Sequence, residues 1–184
     1  MIMRLRQIAN DPRLIKENIV GEKVSKIVEI INKTDGKILI FSQFTSMLDL
    51  IQEELNNQKI SNLILTGKTS KIERKKLVEK FTNSDIKVFL ISLKAGGTGL
   101  NLVSANNVII VDPWWNLSVQ NQATDRVHRI GQTKEVNIIK LITKESIEEK
   151  IVDIQNQKNE LSTSLLDIEN KENIDIDIIK ELLK

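Results

Sequence analysis

The chain has 184 residues, 40% hydrophobic and 28% charged, which is ordinary for one soluble globular domain with a buried core. It has no cysteine, which excludes disulfides, thiol catalysis and thiolate metal sites, and its single histidine, His128, cannot build a zinc site alone. Net charge is +2, but residues 1–144 hold 22 basic and 14 acidic residues, whereas 145–184 hold 5 and 11, so the body and not the tail suits an anionic partner.

No apolar run reaches the roughly 18 residues that a membrane span needs, so no membrane partner is expected. The start, M-I-M-R-L-R, is too short and too charged for a secretory signal. Pro12 ends any short helix before it. Residues 22–33 predict an amphipathic helix with Val24, Ile27, Val28 and Ile31 inward. Asp35-Gly36 makes a turn. K-I-L-I-F-S (37–42) reads as a buried strand. Thr45 can cap the next helix, which Leu48, Ile51 and Leu55 line. N-L-I-L-T (62–66) is a second strand. Ser70 and Glu73 form an S-x-x-E capping box, so a helix runs from there to about Phe81. K-V-F-L-I-S (87–92), N-V-I-I-V (107–111) and E-V-N-I-I-K-L-I (135–142) are three more strands. Strands alternating with helices predict an α/β fold with a mostly parallel sheet and helices on both faces. From Glu145 onward, Ile147, Ile151, Ile154 and Leu161 predict a long helix, with a last short helix near 176–183.

Gly67-Lys68-Thr69 follows a strand and precedes a helix, which invites a P-loop reading. The spacing rejects it. A P-loop needs G-x-x-x-x-G-K-[ST], whereas position 62 is Asn62 and 62–66 is strand. Asp112 is followed by Pro113, not by a second acid, so it is no magnesium-binding partner either. Gly67 instead starts a tight turn whose following helix N-terminus can face phosphate. A capped, solvated surface helix is equally compatible with the pattern.

Residues 92–102, S-L-K-A-G-G-T-G-L-N-L, place three glycines in four positions after a strand. Such a backbone can approach a ligand closely. It is not the dinucleotide fingerprint, because G-x-G-x-x-G is absent. V-D-P-W-W-N (111–116) carries both tryptophans, Trp114 and Trp115, and neighbours cannot both point into one core. Residues 118–132 read S-V-Q-N-Q-A-T-D-R-V-H-R-I-G-Q. Ser118 can cap a helix, Val119, Ala123, Val127 and Ile130 share one face, and Gly131 stops it. Gln122, Arg126 and Arg129 fall on a neighbouring face. Two guanidinium forks on one helix suit a polyphosphate. The spacing alone equally allows them to pair with surface carboxylates such as Asp125.

These motifs together resemble the second lobe of the Swi/Snf-type DNA translocases, a branch of the superfamily-two helicase-like ATPases. Q-A-T-D-R-V-H-R-I-G-Q resembles the family's last helicase motif and S-L-K-A-G-G-T-G-L-N-L its fifth. G-K-T-S-x-x-x-R, D-P-W-W-N, I-L-I-F-S-Q-F-T-S-M-L-D-L and the entry segment L-R-Q-I-A-N-D-P are similar to further family segments. One departure is Leu117, where the family usually has proline; no chemical group is lost.

The resemblance implies a RecA-like lobe over residues 21–144, an entry segment over 1–20 and a helical brace or extension over 145–184. A C-terminal helix docked on its own lobe is compatible with that brace. The resemblance makes Arg126 and Arg129 the arginine fingers on ATP, with Gln122 as support. Gly99 and Asn101 face ATP. Lys68, Thr69, Ser70 and Arg74 contact the DNA backbone, as do Lys94, Gly96, Gly97 and Thr98, with Trp114 and Trp115 near the groove. ATP and Mg2+ are held mainly by an N-terminal P-loop lobe, for whose lysine, acids and glutamate this chain shows no candidate. The implied partners are double-stranded DNA, that N-terminal lobe and a nucleoprotein substrate. The implied location is nucleoid-associated in a bacterium and nuclear in a eukaryote. The alternative is a non-catalytic DNA- or protein-binding module derived from the lobe.

Overall fold

The computed structural model describes residues 2–96, 100–114, 126–127, 132 and 134–157. The first helix, α1 (Ile2–Asn10), ends two residues before Pro12, and a 3-10 turn follows over Pro12–Ile15. Asp11 caps that turn and is fully buried. Its carboxylate accepts the Arg13 N–H at 3.0 Å, the Arg13 guanidinium at 2.8 Å and the Gly21 N–H at 3.2 Å. The entry segment is thereby tied to the start of α2 (Glu22–Lys33).

Next come β1 (Ile38–Ser42), α3 (Thr45–Asn57), β2 (Asn62–Leu65), α4 (Lys71–Asn83), β3 (Val88–Ser92) and a single-turn helix, α5 (Leu93–Gly96). β4 (Asn107–Ile110) and β5 (Asn137–Lys140) complete the sheet. A further helix, α6, covers residues 147–157. The strand order is β2-β3-β1-β4-β5 and every pairing is parallel, the RecA-like α/β architecture expected. β1 pairs on both sides, Ile38 with Val88 and Asn107. β5 is shorter than the eight residues expected from the pattern, and it is an edge strand with Ile138 exposed.

Successive strand side chains face opposite sides, which divides the core in two. Leu39, Phe41, Phe89, Ile91, Val108 and Ile110 pack with Phe81 of α4, with Leu100, Leu102 and Ala105, and with Val127. On the other side, Ile38, Ile40, Val88, Leu90 and Ile109 pack under Val24, Ile27, Val28 and Ile31 of α2 and Met47, Leu48, Ile51 and Leu55 of α3. The stripes read from the sequence on α2 and α3 are those that are buried, whereas on α6 Ile151 is buried, Ile147 is half-buried and Ile154 is exposed. Asp35-Gly36 forms the expected turn, with Gly36 at φ +84.

Two local readings change. The N-cap of α3 is Phe44, and Thr45 is the first helical residue, without a side-chain cap bond. Instead Ser42 Oγ accepts the Phe44 N–H at 3.1 Å. Gly67 has no atom within 4 Å of an added Cβ and no positive φ, so its turn does not demand glycine. The helix expected over 118–130 lies outside the described residues, apart from Arg126 and Val127, which are in a turn. The helix expected near 176–183 also lies outside them. Among the described residues no helix is long and apolar enough to cross a membrane.

Gly96 is buried, and a Cβ there would stand 2.8 Å from Phe41 Cε1. Phe41 is fully enclosed in the core, so its ring has no free direction to yield. Gly96→Ala is expected to destabilise the chain by about 1–3 kcal/mol through overpacking. A lowered urea midpoint at unchanged slope is the signature. An unchanged midpoint means the ring relocates without strain.

Candidate functional site

In a parallel open sheet, ligands bind outside the carboxyl ends of the strands. Here those ends carry the turn after β2, the segment after β3, and Val111 to Trp114 after β4. Of the candidate residues, Lys68, Thr69, Ser70, Arg74, Lys94 and Trp114 therefore share one edge of the lobe because of topology, although they lie far apart in sequence.

The turn after β2 is held by its own side chains. The Thr69 N–H donates to the Thr66 carbonyl and the Thr66 N–H donates to Thr69 Oγ1, both at 3.1 Å. Ser70 and Glu73 make both bonds of the capping box. Those bonds, the backbone bond from Ser70 first, hold the Glu73 carboxyl below its ordinary range. Arg74 Nε donates to the Thr69 carbonyl at 2.9 Å and Nη2 to the Gly67 carbonyl at 3.4 Å. Arg74 thus braces the turn. Lys68 and Ser70 are exposed and Thr69 is half-buried. The N-terminus of α4 presents these groups together.

After β3, Lys94 is exposed on α5 and Gly96 is buried under Phe41. Gly97, Thr98 and Gly99 lie outside the described residues. Asn101 is exposed between buried Leu100 and Leu102. The Leu102 N–H donates to the Arg126 carbonyl at 3.3 Å, which joins the glycine-rich segment to the arginine segment. Val127 is fully buried, as its place on the apolar stripe requires, and Arg126 is half-buried. Gln132 Nε2 donates to the Val103 and Ala105 carbonyls at 3.1 and 2.8 Å and ties the end of the same motif to this loop. Gln122, Arg129 and His128 lie outside the described residues, as does Trp115. Trp114 is half-buried against the core, its ring 5.9 Å from the Arg6 guanidinium, and its carbonyl accepts from Gln155.

Sequence reasoning missed a buried polar cluster at this edge. Lys23 Nζ of α2 donates to both Glu148 oxygens of α6 and to the Val111 carbonyl, each at 2.7 Å. Glu148 also accepts the Thr143 N–H at 2.9 Å. Arg6 Nη2 of α1 donates to the Pro113 carbonyl at 2.8 Å. The Ser42 hydroxyl donates to one Asp112 oxygen, and the Gln43 N–H donates to the other at 3.2 Å. Burial lowers the Lys23 pKa although Glu148 opposes it, and burial likewise lowers that of Arg6. A signal existed: Lys23 and Glu148 adjoin the apolar stripes of their helices. Only the fold brings them together across 125 positions.

Burial pushes the Asp112 carboxyl up to about 6, against the lowering by Ser42, Gln43 and Lys23. A folded pKa above the unfolded value means that the folded state binds more protons between about 4 and 6. Asp112 therefore contributes stability that is complete below the unfolded value and is lost as pH rises through about 6. Asp112→Asn is expected to remove that falling slope from the stability-versus-pH curve. An unchanged slope in urea titrations from pH 4 to 7 rules Asp112 out as its source. Both Asp112 oxygens accept hydrogen bonds and the side chain is enclosed, 1% exposed.

Residues 22–131 match the family model described as the helicase conserved C-terminal domain. The chain is 42% identical over 163 residues to the DNA repair protein RAD5 of Yarrowia lipolytica, covering 89% of this chain and 15% of that protein. It is 41% identical over 170 residues to an uncharacterized ATP-dependent helicase of Mycoplasma genitalium, covering 88% and 16%. The chain thus spans a small part of the length of these relatives. Among solved structures, the Sulfolobus solfataricus SWI2/SNF2 ATPase core in complex with dsDNA superposes with a TM-score of 0.74 at 37% identity, covering 87% of this chain and 35% of that one. The C-terminal part of the Fun30 ATPase domain gives 0.69 at 47% identity, covering 72% and 44%.

Proposed function

This chain belongs to the helicase conserved C-terminal domain family, as a C-terminal lobe of Swi2/Snf2 type, and from that premise we propose that it is the second motor lobe of an ATP-dependent translocase on double-stranded DNA. ATP is the substrate, held between this lobe and a P-loop lobe. Arg126 and Arg129 reach its γ-phosphate, with Gln122 in support, and Gly99 and Asn101 face the nucleotide. Guanidiniums suit this role because they stay charged and match phosphate oxygens in pairs. Lys68, Thr69, Ser70 and Lys94, with Gly97 and Thr98, grip the DNA backbone, and Arg74 holds the turn that presents the first three. Closure of the cleft moves the lobe along the backbone and hydrolysis reopens it. In this reading residues 21–144 are the lobe proper, 1–20 its entry segment and 145–184 its extension.

The observation that carries this reading is the bond between the Leu102 N–H and the Arg126 carbonyl. It places the glycine-rich segment and an arginine of the last motif side by side, as a lobe that couples DNA to nucleotide needs. Support also comes from the solved Sulfolobus solfataricus SWI2/SNF2 ATPase core, which is in complex with dsDNA.

The test is the ATPase rate with and without double-stranded DNA, for this chain alone and mixed with a matching P-loop lobe. The chain alone is expected to be inert and the mixture to hydrolyse ATP only with DNA. Turnover by the chain alone would restore Gly67-Lys68-Thr69 as a nucleotide site. An inert mixture of associated lobes that still binds DNA favours the binding-module alternative. Backbone contacts also predict a salt signature: Lys68→Ala and Lys94→Ala should each weaken DNA binding uniformly across sequences and reduce the salt slope by about 1. Unchanged slopes remove these lysines from the interface.

A further inference from the structure

α4 departs from the charge pattern of α2. It holds five basic and two acidic residues, and it buries only Phe81, with Leu77 and Val78 packed against the core. Its first residue, Lys71, stands at the positive end of the helix dipole, where a cation is unfavourable. Lys75 follows at i+4, and like charges at that spacing repel. On α2, by contrast, Lys26 and Lys33 are both paired with Glu29. Lys71 and Lys75 are exposed, and among the described residues they make no ion pair. Breaches of local rules are expected where function requires them. The two flanks of α4 also differ. Toward the edge strand β2, a groove is lined by Ile64, Lys68, Thr69, Glu73, Lys76 and Leu77. There the charge of Lys76 acts on Glu73, so that cation has an acid beside it. At 3.6 residues per turn, Lys71 and Lys75 lie on the opposite flank, which faces the middle of the sheet. β3 is the next strand inward, and the exposed Lys94 follows it.

We propose that Lys71 and Lys75 extend the DNA interface along the inward flank of α4, so that the duplex backbone lies over this helix and not only against its tip. The proposal rests on the function proposed above and goes beyond the turn Lys68–Ser70. Charge selects the occupant, since two adjacent cations without acids suit a polyanion. Continuity selects it too, because Lys71 directly follows the turn assigned to DNA. The two lysines are about 6 Å apart along the helix axis, a span over which one DNA strand carries about two phosphates. Each ammonium therefore takes one phosphate as a point charge. An anion at Lys71 also faces the positive end of α4, which resolves the local conflict there. Contacts of this kind position the duplex and read no sequence.

Fluorescence anisotropy of two unrelated DNA duplexes, titrated over a range of salt with the chain alone and with the lobe mixture, tests this. Lys71→Gln and Lys75→Gln are each expected to reduce the slope of log affinity against log salt by about 0.9, and the double variant by about 1.8, equally on both sequences. Lys76→Gln, on the groove flank, is expected to change it by less than about a third of the single-variant effect. The urea midpoint of the double variant is expected to hold or rise, because a cation leaves the helix N-terminus and a like-charge pair is removed. A wild-type slope retained by the double variant overturns the proposal and leaves the DNA reading standing. An equal loss in Lys76→Gln overturns it as well, since the helix would then act as a diffuse charge with no preferred flank. A lowered midpoint in the double variant also overturns it, because the lysines would then serve the fold. If wild type binds neither duplex, alone or in the mixture, the DNA reading and this proposal fail together.

Discussion

Arg126→Ala and Arg129→Ala are each expected to lower DNA-stimulated ATP hydrolysis by about a thousandfold or more, with DNA binding nearly unchanged. The magnitude follows from the chemistry: charge on the transferring phosphoryl group is stabilised chiefly by positioned cations, and an arginine finger contributes about 10³–10⁵ in kcat. The alanine variant at 126 keeps the backbone bond to Leu102, so the segment stays attached while the guanidinium is lost. Arg126→Lys is a sharper probe. It keeps the charge and removes the planar fork, and its rate should fall between wild type and alanine. Steady-state kcat of the lobe mixture, beside DNA affinity by anisotropy, measures both terms. A kcat within fivefold of wild type for both alanine variants would place these arginines among surface-pairing residues.

Glu148→Ala is expected to destabilise the fold of this lobe by about 3–5 kcal/mol. Glu148 is 1% exposed and accepts both the Lys23 ammonium and the Thr143 N–H. Its removal leaves a cation enclosed between α2 and the end of β4, with the Val111 carbonyl as hydrogen-bond partner and the charge of Asp112 nearby. The paired change Lys23→Met with Glu148→Leu should recover most of the loss, because the penalty lies in the orphaned charge and not in the absent pair. The Lys26–Glu29–Lys33 pairs on α2 are the control. They are solvent-exposed, so replacing Glu29 should have far less effect. Urea unfolding of the four proteins decides the matter. A Glu148→Ala midpoint equal to that of the Glu29 variant would mean that Lys23 finds water on losing its partner.

The parallel sheet, its strands and the helices on both faces were legible in the sequence because burial imposes periodicity. Val24, Ile27, Val28 and Ile31 can share one face only on a helix, and I-L-I-F between polar ends fits a strand enclosed on both sides. The Ser70–Glu73 capping box was equally legible, since it needs only residues three apart. Arg129, Gln122, Gly97, Thr98, Gly99 and Trp115, and with them the shared helix face expected of Arg126 and Arg129, lie outside the described residues.

Tertiary structure decided what depends on distant partners. No local pattern shows that Gly96 is demanded by the ring of Phe41, or that Arg74 turns inward to its own loop. The cap of α3 at Phe44 and not Thr45 is a local matter by contrast, set by the bond from the Phe44 N–H to Ser42 two residues earlier. The largest gap is the cluster of Arg6, Lys23, Asp112, Glu148 and Gln155. In one dimension Arg6, Lys23, Glu148 and Gln155 are ordinary charged and polar residues on helices, and Asp112 is only an acid before a proline. The strand order β2-β3-β1-β4-β5 places β1 beside β4, which brings Ser42 onto Asp112, and α1 and α6 add Arg6 and Gln155 to the same loop. Periodicity records which side of an element is buried, and local spacing records turns and caps. Which buried charge meets which carbonyl is fixed only when the sheet closes the distance between them.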